Sequence, residues 1–175
     1  MSKVRSKGPI RARSRRGVQS DKSPPVARRT PSAPEGAVCE RCGAVFARKT
    51  WRRNRPVTHA GLGRATWTVC PACRQADSGE YYGRVRIRGA YASAHAEAIH
   101  RRIQNTVERA RFTQPERRLV GLARDGDVLE VLTTSQKLAH RVVHELKKAF
   151  RGRASYRWSD DGTLFATWER DDVPA

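Results

Sequence analysis

Two cysteine pairs, Cys39-Glu40-Arg41-Cys42-Gly43 and Cys70-Pro71-Ala72-Cys73, contain all four cysteines of this 175-residue chain. A two-residue gap lets both thiolates of a C-x-x-C pair turn towards one point. Two such pairs therefore offer four sulfur ligands in a tetrahedron, the arrangement that structural zinc prefers. Gly43 follows the first pair, where glycine suits the positive φ that such a turn tends to need. The pattern predicts one structural Zn²⁺ ion, bound by Cys39, Cys42, Cys70 and Cys73.

Other uses of the cysteines give different expectations. Disulfides need an oxidising compartment, but the N-terminus shows no secretory signal, so we expect a reducing, cytoplasmic location. The segment 70–73 alone resembles a dithiol redox motif, in which a lowered thiol pKa activates the first cysteine. That interpretation leaves Cys39 and Cys42 without a role, and no βαβ pattern surrounds the motif. Structural zinc is favoured, and a dithiol oxidoreductase is the alternative from the enzyme class.

The charge of the chain points to a polyanionic partner. There are 36 Lys+Arg against 17 Asp+Glu, which gives a net charge of +19 and a pI near 11.2. Such an excess repels itself in a compact state unless an anionic partner neutralises it. No apolar run approaches the roughly 18 residues of a membrane span. An amphipathic helix with exposed bulky apolar residues is also absent from the pattern, so we expect no membrane partner.

Residues 1–36 have the composition of a disordered tail. They hold ten basic residues, two acidic residues and five of the nine prolines. Such a segment buries too little apolar surface to offset the entropy of ordering it. We expect a basic arm that lies along phosphates. A solubilising tail is the alternative, and an Arg-rich presequence is disfavoured because prolines interrupt the helix that it needs.

The segment between the cysteine pairs is basic with interleaved aromatic residues. Residues 45–46 and 65–69 predict the two strands of a long hairpin, which bends near residues 61–63. We expect Trp51 and Trp67 to cover the small core beside the metal. Three arginines in this segment are too dense for an ordinary solvated face and are predicted to contact phosphates: Arg52, Arg53 and Arg55.

A strand with strict alternation follows the second cysteine pair. Val85 and Ile87 point to one side, and three arginines point to the other: Arg84, Arg86 and Arg88. These guanidinium groups lie about 7 Å apart along one face and repel each other unless an anion lies across them. We therefore predict RNA binding here, with a charge-protected edge strand as the alternative. This strand is taken as the end of a zinc ribbon spanning residues 37–89.

Residues 90–175 predict an α-β-β-α-β-β domain. A helix from about residue 90 to 111 precedes a hairpin that turns at Gly126, because Asp-Gly between apolar runs is a strong hairpin signal. A second helix, residues 136–150, begins after a cap at Thr134 or Ser135, and a second hairpin turns at Gly162. We expect an α+β fold in which two helices cover a four-stranded sheet. The outer face of the second helix forms a positive ridge with His144, predicted to bind RNA unless it is merely solvated: Lys137, Arg141 and Lys148.

These motifs resemble a known family. Cys39-x-x-Cys42-Gly43, the second pair and the run EYYGRVRIRG (80–89) resemble the zinc-binding part of the eukaryotic and archaeal large-ribosomal-subunit export adaptors. The run DGDVLEVLTTSQKLAH (125–140) is similar to the segment before that family's second helix. The chain looks still more like a group of small bacterial zinc-ribbon proteins, and the resemblance covers about residues 37–170.

The resemblance implies binding to the large ribosomal subunit through rRNA. Longer members of the family carry additional C-x-x-C pairs, a further β-barrel domain and transport signals. This sequence shows none of these features, so the nuclear export role is not carried over.

The sequence as a whole predicts a zinc-stabilised RNA-binding protein that acts on ribosomes or their assembly intermediates. A DNA-binding zinc-ribbon regulator is the main alternative, since phosphates of DNA attract the same charge. We do not expect an enzyme: residues 121–126 lack the Lys-Ser/Thr of a phosphate-binding loop, and no nucleophile has an evident histidine and acid partner. No small-molecule substrate is evident.

Overall fold

A computed structural model describes residues 33–53, 55 and 57–172 of the chain. Within these residues the fold is mixed α+β, with two sheets and five helices. The strands are β1 (Val38–Cys39), β2 (Val45–Ala47), β3 (Thr50–Arg52), β4 (Trp67–Thr68), β5 (Gly83–Arg88), β6 (Leu119–Asp125), β7 (Val128–Thr133), β8 (Arg153–Trp158) and β9 (Leu164–Glu169). The helices are α1 (His59–Gly63), α2 (Pro71–Asp77), α3 (Ala90–Ala94), α4 (Ala96–Thr113) and α5 (Gln136–Phe150).

Most of the predicted basic tail, residues 1–36, lies outside the described residues. Its last residues contact the first sheet. The backbone N–H of Gly36 donates to the Phe46 carbonyl at 2.9 Å, and the Glu35 carboxylate accepts from the Arg48 N–H at 2.9 and 3.1 Å. Residues 35–36 therefore extend the folded part of the chain towards its N-terminus.

The first sheet has the order β3-β2-β1-β4 and corrects the predicted long hairpin. β2 turns directly into β3 through Arg48 and Lys49, whose φ values are 52° and 62°. Two successive positive φ values match the twist of a tight hairpin. The usual sequence signal for such a turn is Asn-Gly, so the Arg48-Lys49 pair did not predict it. β4 returns beside β1 in parallel, and residues 61–63 lie in α1 instead of a bend.

The second sheet has five strands in the order β6-β7-β5-β9-β8, one more than predicted. The additional strand is β5, which the sequence pattern places at the end of the zinc ribbon. It pairs antiparallel with β7 and parallel with β9. Its alternation is as predicted: Val85 and Ile87 are fully buried, and the arginines lie on the other face. The buried face of β5 adds to the core of the second sheet, which explains why β5 lies at the centre of that sheet. The division into separately folding units, 37–89 and 90–175, remains a prediction.

The helices cover one face of the second sheet. α5 contacts β5, β7, β8 and β9, and α4 packs against α5. The predicted helix 90–111 is interrupted at His95 (φ −116°, ψ 29°) and continues to Thr113. Ser135 caps α5, since its hydroxyl accepts from the Leu138 N–H at 3.3 Å. Both predicted Asp-Gly hairpins are present, with positive φ at Gly126 and Gly162. Among the described residues no helix has the length and apolar character needed to cross a membrane.

Candidate metal centre and basic surfaces

The four cysteine sulfurs converge as the sequence predicts. All four are buried, and their Sγ atoms lie within 4.8 Å of one another. Cys39 Sγ is 3.8 Å from Cys73 Sγ, and Cys42 Sγ is 3.9 Å from Cys70 Sγ. Four sulfurs placed about 2.3 Å from a common centre, the usual Zn–S distance, lie about 3.8 Å apart. A disulfide needs about 2.05 Å, so the spacing fits a tetrahedral metal site and the cysteines are free thiols.

Short local elements bring these ligands together. Cys39 ends β1, and Cys42 follows in a turn that closes when the Gly43 N–H donates to the Cys39 carbonyl at 2.8 Å. Gly43 has φ +69°, the conformation predicted for it. Cys70 is the N-cap of α2, Pro71 starts the helix, and Cys73 lies in its first turn. The sulfurs of the second pair are therefore fixed by a helix start that proline favours.

The surroundings of the cluster stabilise negative sulfur and exclude water. The Cys70 backbone N–H donates to Cys39 Sγ at 3.3 Å. Trp51 packs against the cysteine cluster, and its ring meets that of Phe46 edge-on with the centroids 5.4 Å apart. The expectation that Trp67 covers the same core is wrong, because 53% of its surface is exposed on the edge strand β4. A dry, closed shell of this kind suits a structural metal.

The thiol pKa values show how protons are shared in the absence of a metal. The contact between the sulfurs of Cys42 and Cys70 lowers the pKa of Cys42 to about 4. The same contact, together with burial, raises the pKa of Cys70 well above its usual range. Burial raises the pKa of Cys73 to about 11. Because metals bind thiolates, metal uptake near neutral pH must displace the protons of Cys70 and Cys73.

Arg118 is a component of the site that the sequence analysis missed. Only 8% of its surface is exposed, although arginine is rarely buried without a partner. Its Nε donates to the Pro115 carbonyl at 2.8 Å, and its Nη2 lies 4.0 Å from Cys70 Sγ. It precedes β6 of the second sheet, so it links that sheet to the cysteine cluster. Four thiolates carry more negative charge than a divalent cation neutralises, and the guanidinium supplies a compensating charge.

The three arginines of β5, Arg84, Arg86 and Arg88, form a stripe that is less available to bind an external anion than predicted. Arg84 donates to Glu130 at 2.6 Å through Nε, and Arg88 donates to Glu169 at 3.0 Å. The anions that the stripe requires therefore come partly from the neighbouring strands β7 and β9. Arg86 is exposed, and among the described residues it forms no ion pair with a carboxylate.

The other predicted RNA-binding residues lie in two places. Arg52 and Arg53 are half-buried at the end of β3, and Arg55 is exposed beyond it. On α5, Lys137 and Lys148 are exposed and Arg141 is half-buried, all away from the buried face of the helix. Because α5 covers one face of the second sheet and the β5 arginines lie on the other, the two basic surfaces face opposite directions.

Comparisons of the chain with family models, with curated proteins and with solved structures found no match.

Proposed function

We propose that this chain is a zinc-stabilised RNA-binding protein that associates with the large ribosomal subunit, through rRNA, or with its assembly intermediates. The observation that carries the proposal is the position of exposed basic side chains that form no ion pair within the described residues. In a chain of net charge +19, such side chains lie on both sides of the second sheet, among them Lys137 and Lys148 on the outer face of α5 and Arg86 on the opposite side. A protein that meets phosphates on two opposite sides suits a crevice between RNA elements.

A DNA-binding regulator fits this arrangement less well. A single duplex presents its phosphates to one side of a small domain, usually to a helix or ribbon that enters a groove. Folded rRNA can surround a small protein, and its recognition depends on shape and on unpaired segments. The opposed basic surfaces therefore favour structured RNA over duplex DNA.

The cysteine geometry argues against a dithiol oxidoreductase. A redox thiolate must reach its substrate, so reactive cysteines are partly exposed. Here each of the four cysteines is at most 8% exposed, and the sulfurs face one another. The proposed role of the metal is structural: it holds the first sheet and positions the basic residues that follow β3.

Reversing the charge of the α5 ridge is expected to weaken ribosome association. We predict that Lys137→Glu, Arg141→Glu and Lys148→Glu together remove most co-sedimentation with large subunits at 0.1–0.2 M salt, about the ionic strength at which phosphate contacts still dominate nonspecific binding. Surface changes of this kind usually alter stability by less than about 0.5 kcal/mol, so the fold should persist. The measurement is the bound fraction after gradient sedimentation, with the thermal midpoint recorded beside it.

The matched control reverses three exposed arginines outside the ridge, Arg74, Arg101 and Arg124. It imposes the same change in net charge, so it should retain much more association than the ridge variant. Equal losses in the two variants would mean that the α5 ridge contributes only nonspecific positive charge.

A competition experiment with duplex DNA and with rRNA fragments distinguishes the two kinds of nucleic acid. If duplex DNA displaces the protein at a lower concentration than rRNA does, the DNA-binding regulator is favoured.

A further inference from the structure

The face of the second sheet that lies opposite the helices is open within the described residues. Residues that alternate with the buried positions of β5, β7, β8 and β9 point to it, and none of them is buried. The central part of this face holds five arginines, two glutamates and one aromatic ring: Arg84, Arg86, Arg88, Arg153, Arg157, Glu130, Glu169 and Phe165. Cations thus outnumber the carboxylates on this part of the face.

The ion pairs divide these arginines into two groups. Glu130 binds Arg84, and Glu169 binds both Arg88 and Arg153, at 2.8 and 3.3 Å. Arg86 and Arg157 are exposed, and neither pairs with a carboxylate in the part of the chain that the structure describes. Two guanidinium groups therefore remain free to bind an external anion.

Arg157, one of the two free arginines, lies beside the one aromatic ring of this central area. Phe165 is the strand neighbour of Arg84 on one side and of Arg157 on the other. The Arg157 guanidinium carbon lies 5.6 Å from the centre of the Phe165 ring. A concavity of about 360 Å³ lies here, and its lining contains no carboxylate. The residues that line it include Arg84, Arg86, Ser155, Arg157, Phe165 and Thr167, together with Tyr156 and Ala166.

We propose that this concavity binds single-stranded RNA by stacking one unpaired base on Phe165, while Arg86 and Arg157 bind the adjacent phosphates. The inference rests on the proposed function and specifies which part of an RNA the sheet contacts. Open sheet faces suit this task because an aromatic side chain in mid-strand offers a flat, fixed π-face to a splayed base. Arg157 is exposed, so its side chain can move off the Phe165 ring and reach a phosphate beside the stacked base.

The chemistry of the lining selects this ligand over an acidic peptide. Carboxylates of a peptide need cations only, and a half-buried phenyl ring would contribute little to their binding. A nucleotide combines a flat aromatic base with an anionic phosphate, and both parts have partners here. The volume lies within the range of about 300–1,000 Å³ that is usual for small-ligand sites, so one nucleotide fits.

The experiment measures the affinity of the zinc-loaded full chain for an unstructured RNA oligonucleotide of eight nucleotides by fluorescence anisotropy. Phe165→Leu keeps an apolar side chain but loses the π-face, and we expect it to lower affinity roughly tenfold. Phe165→Tyr keeps the ring and should bind within about twofold of the original chain. If Phe165→Leu binds as tightly as the original chain, no base stacks there and the proposal is wrong.

Salt dependence separates the base contact from the phosphate contacts. Arg86→Gln with Arg157→Gln should reduce the slope of log affinity against log salt by about 1.4, since each phosphate contact to a single strand contributes about 0.7. Phe165→Leu should leave the slope unchanged because it removes no charge. Trp158→Leu is the matched control. Trp158 is 62% exposed at the end of β8, but it lies on the face of the sheet that the helices cover, so this variant should bind the oligonucleotide as tightly as the original chain.

Two results distinguish this inference from the proposed function. A chain that sediments with large subunits but does not bind the oligonucleotide would overturn the stacking site and leave ribosome association standing. A chain that binds neither RNA would overturn both. A polyglutamate peptide provides the test of the other partner class: if it binds more tightly than the oligonucleotide and depends equally on Phe165, the concavity is a protein-binding site.

Discussion

Removing zinc is expected to unfold the first sheet, β1–β4, together with α2, and to leave the second sheet intact. The strands of the first sheet have only two or three residues each, and the core around them consists mainly of the cysteines and small side chains. Zinc binding in small modules contributes about 10–16 kcal/mol, far more than so small a core supplies. The second sheet has its own core of 17 buried residues, so its stability does not depend on the metal in the same way.

The measurement is amide hydrogen exchange before and after treatment with a strong chelator, combined with metal analysis of the purified protein. We expect one zinc ion per chain. Chelation should abolish protection in β1–β4 and preserve it in β5, β7 and β9. The fluorescence of Trp51, which packs on the cysteine cluster, should shift towards that of a solvated indole.

Cys42→Ser provides the internal control for this experiment. It removes one sulfur ligand, so the untreated variant should already resemble the chelated protein, and chelation should change it little further. A metal-free chain that keeps full protection in β1–β4 would contradict the structural role of zinc. Thiol titration adds a second readout, because four thiols should become reactive only when the metal is removed or the first sheet unfolds.

Local sequence signals predicted the parts of the structure that depend on neighbours in the chain. The two Asp-Gly turns, the Ser135 cap and the alternation of Val85 and Ile87 each follow from a few adjacent residues. The convergence of the cysteines was also predictable, because a pair spaced C-x-x-C already points both sulfurs in one direction. The sequence-based interpretation was wrong where a strand pairs with a distant strand, and also at the local β2–β3 turn, whose Arg48-Lys49 pair is not a usual turn signal.

The central position of β5 shows why long-range pairing escaped prediction. Its parallel partner β9 lies about 80 residues further along the chain, and the register joins Arg88 to Glu169. No local pattern specifies that partner. This pairing places Glu169 beside Arg88, and the pairing with β7 places Glu130 beside Arg84. These carboxylates of neighbouring strands reduce the predicted repulsion among the arginines of β5. Charge alternation along one strand cannot reveal the carboxylates of its neighbours.

Arg118, in the candidate metal centre, could not be predicted from the sequence for the same reason. The chain has 36 Lys+Arg, and nothing in the run around residue 118 distinguishes the buried arginine from the solvated ones. Its role emerges only when β6 is placed beside α2, which brings the guanidinium to the sulfur cluster.

Replacing Arg118 by methionine is expected to weaken zinc binding by about ten- to a hundredfold, the usual effect of removing a group that supports metal ligands. The substitution keeps a long apolar stem but removes the charge near Cys70 and the donor to the Pro115 carbonyl. Removing one partner of a buried charge pair typically costs about 3–5 kcal/mol, because the other charge stays buried without compensation. The zinc-bound protein should therefore lose several kilocalories per mole of stability, measured by denaturant unfolding at fixed free zinc.

The comparison between zinc-bound and metal-free protein identifies the cause of this loss. Because removing the metal is expected to unfold the first sheet, no thiolate cluster then faces the guanidinium. Arg118→Met should therefore cost much less in the metal-free protein than in the zinc-bound form, whereas a role confined to the bond with the Pro115 carbonyl predicts equal costs. Arg118→Lys keeps the charge but offers no Nε donor to Pro115 and should give an intermediate affinity. The matched control is Arg117→Met, at the half-exposed neighbouring position, which should bind zinc like the original chain. An unchanged zinc affinity in Arg118→Met would mean that the guanidinium does not compensate the thiolates, and that the second sheet supports the metal centre only through backbone contacts.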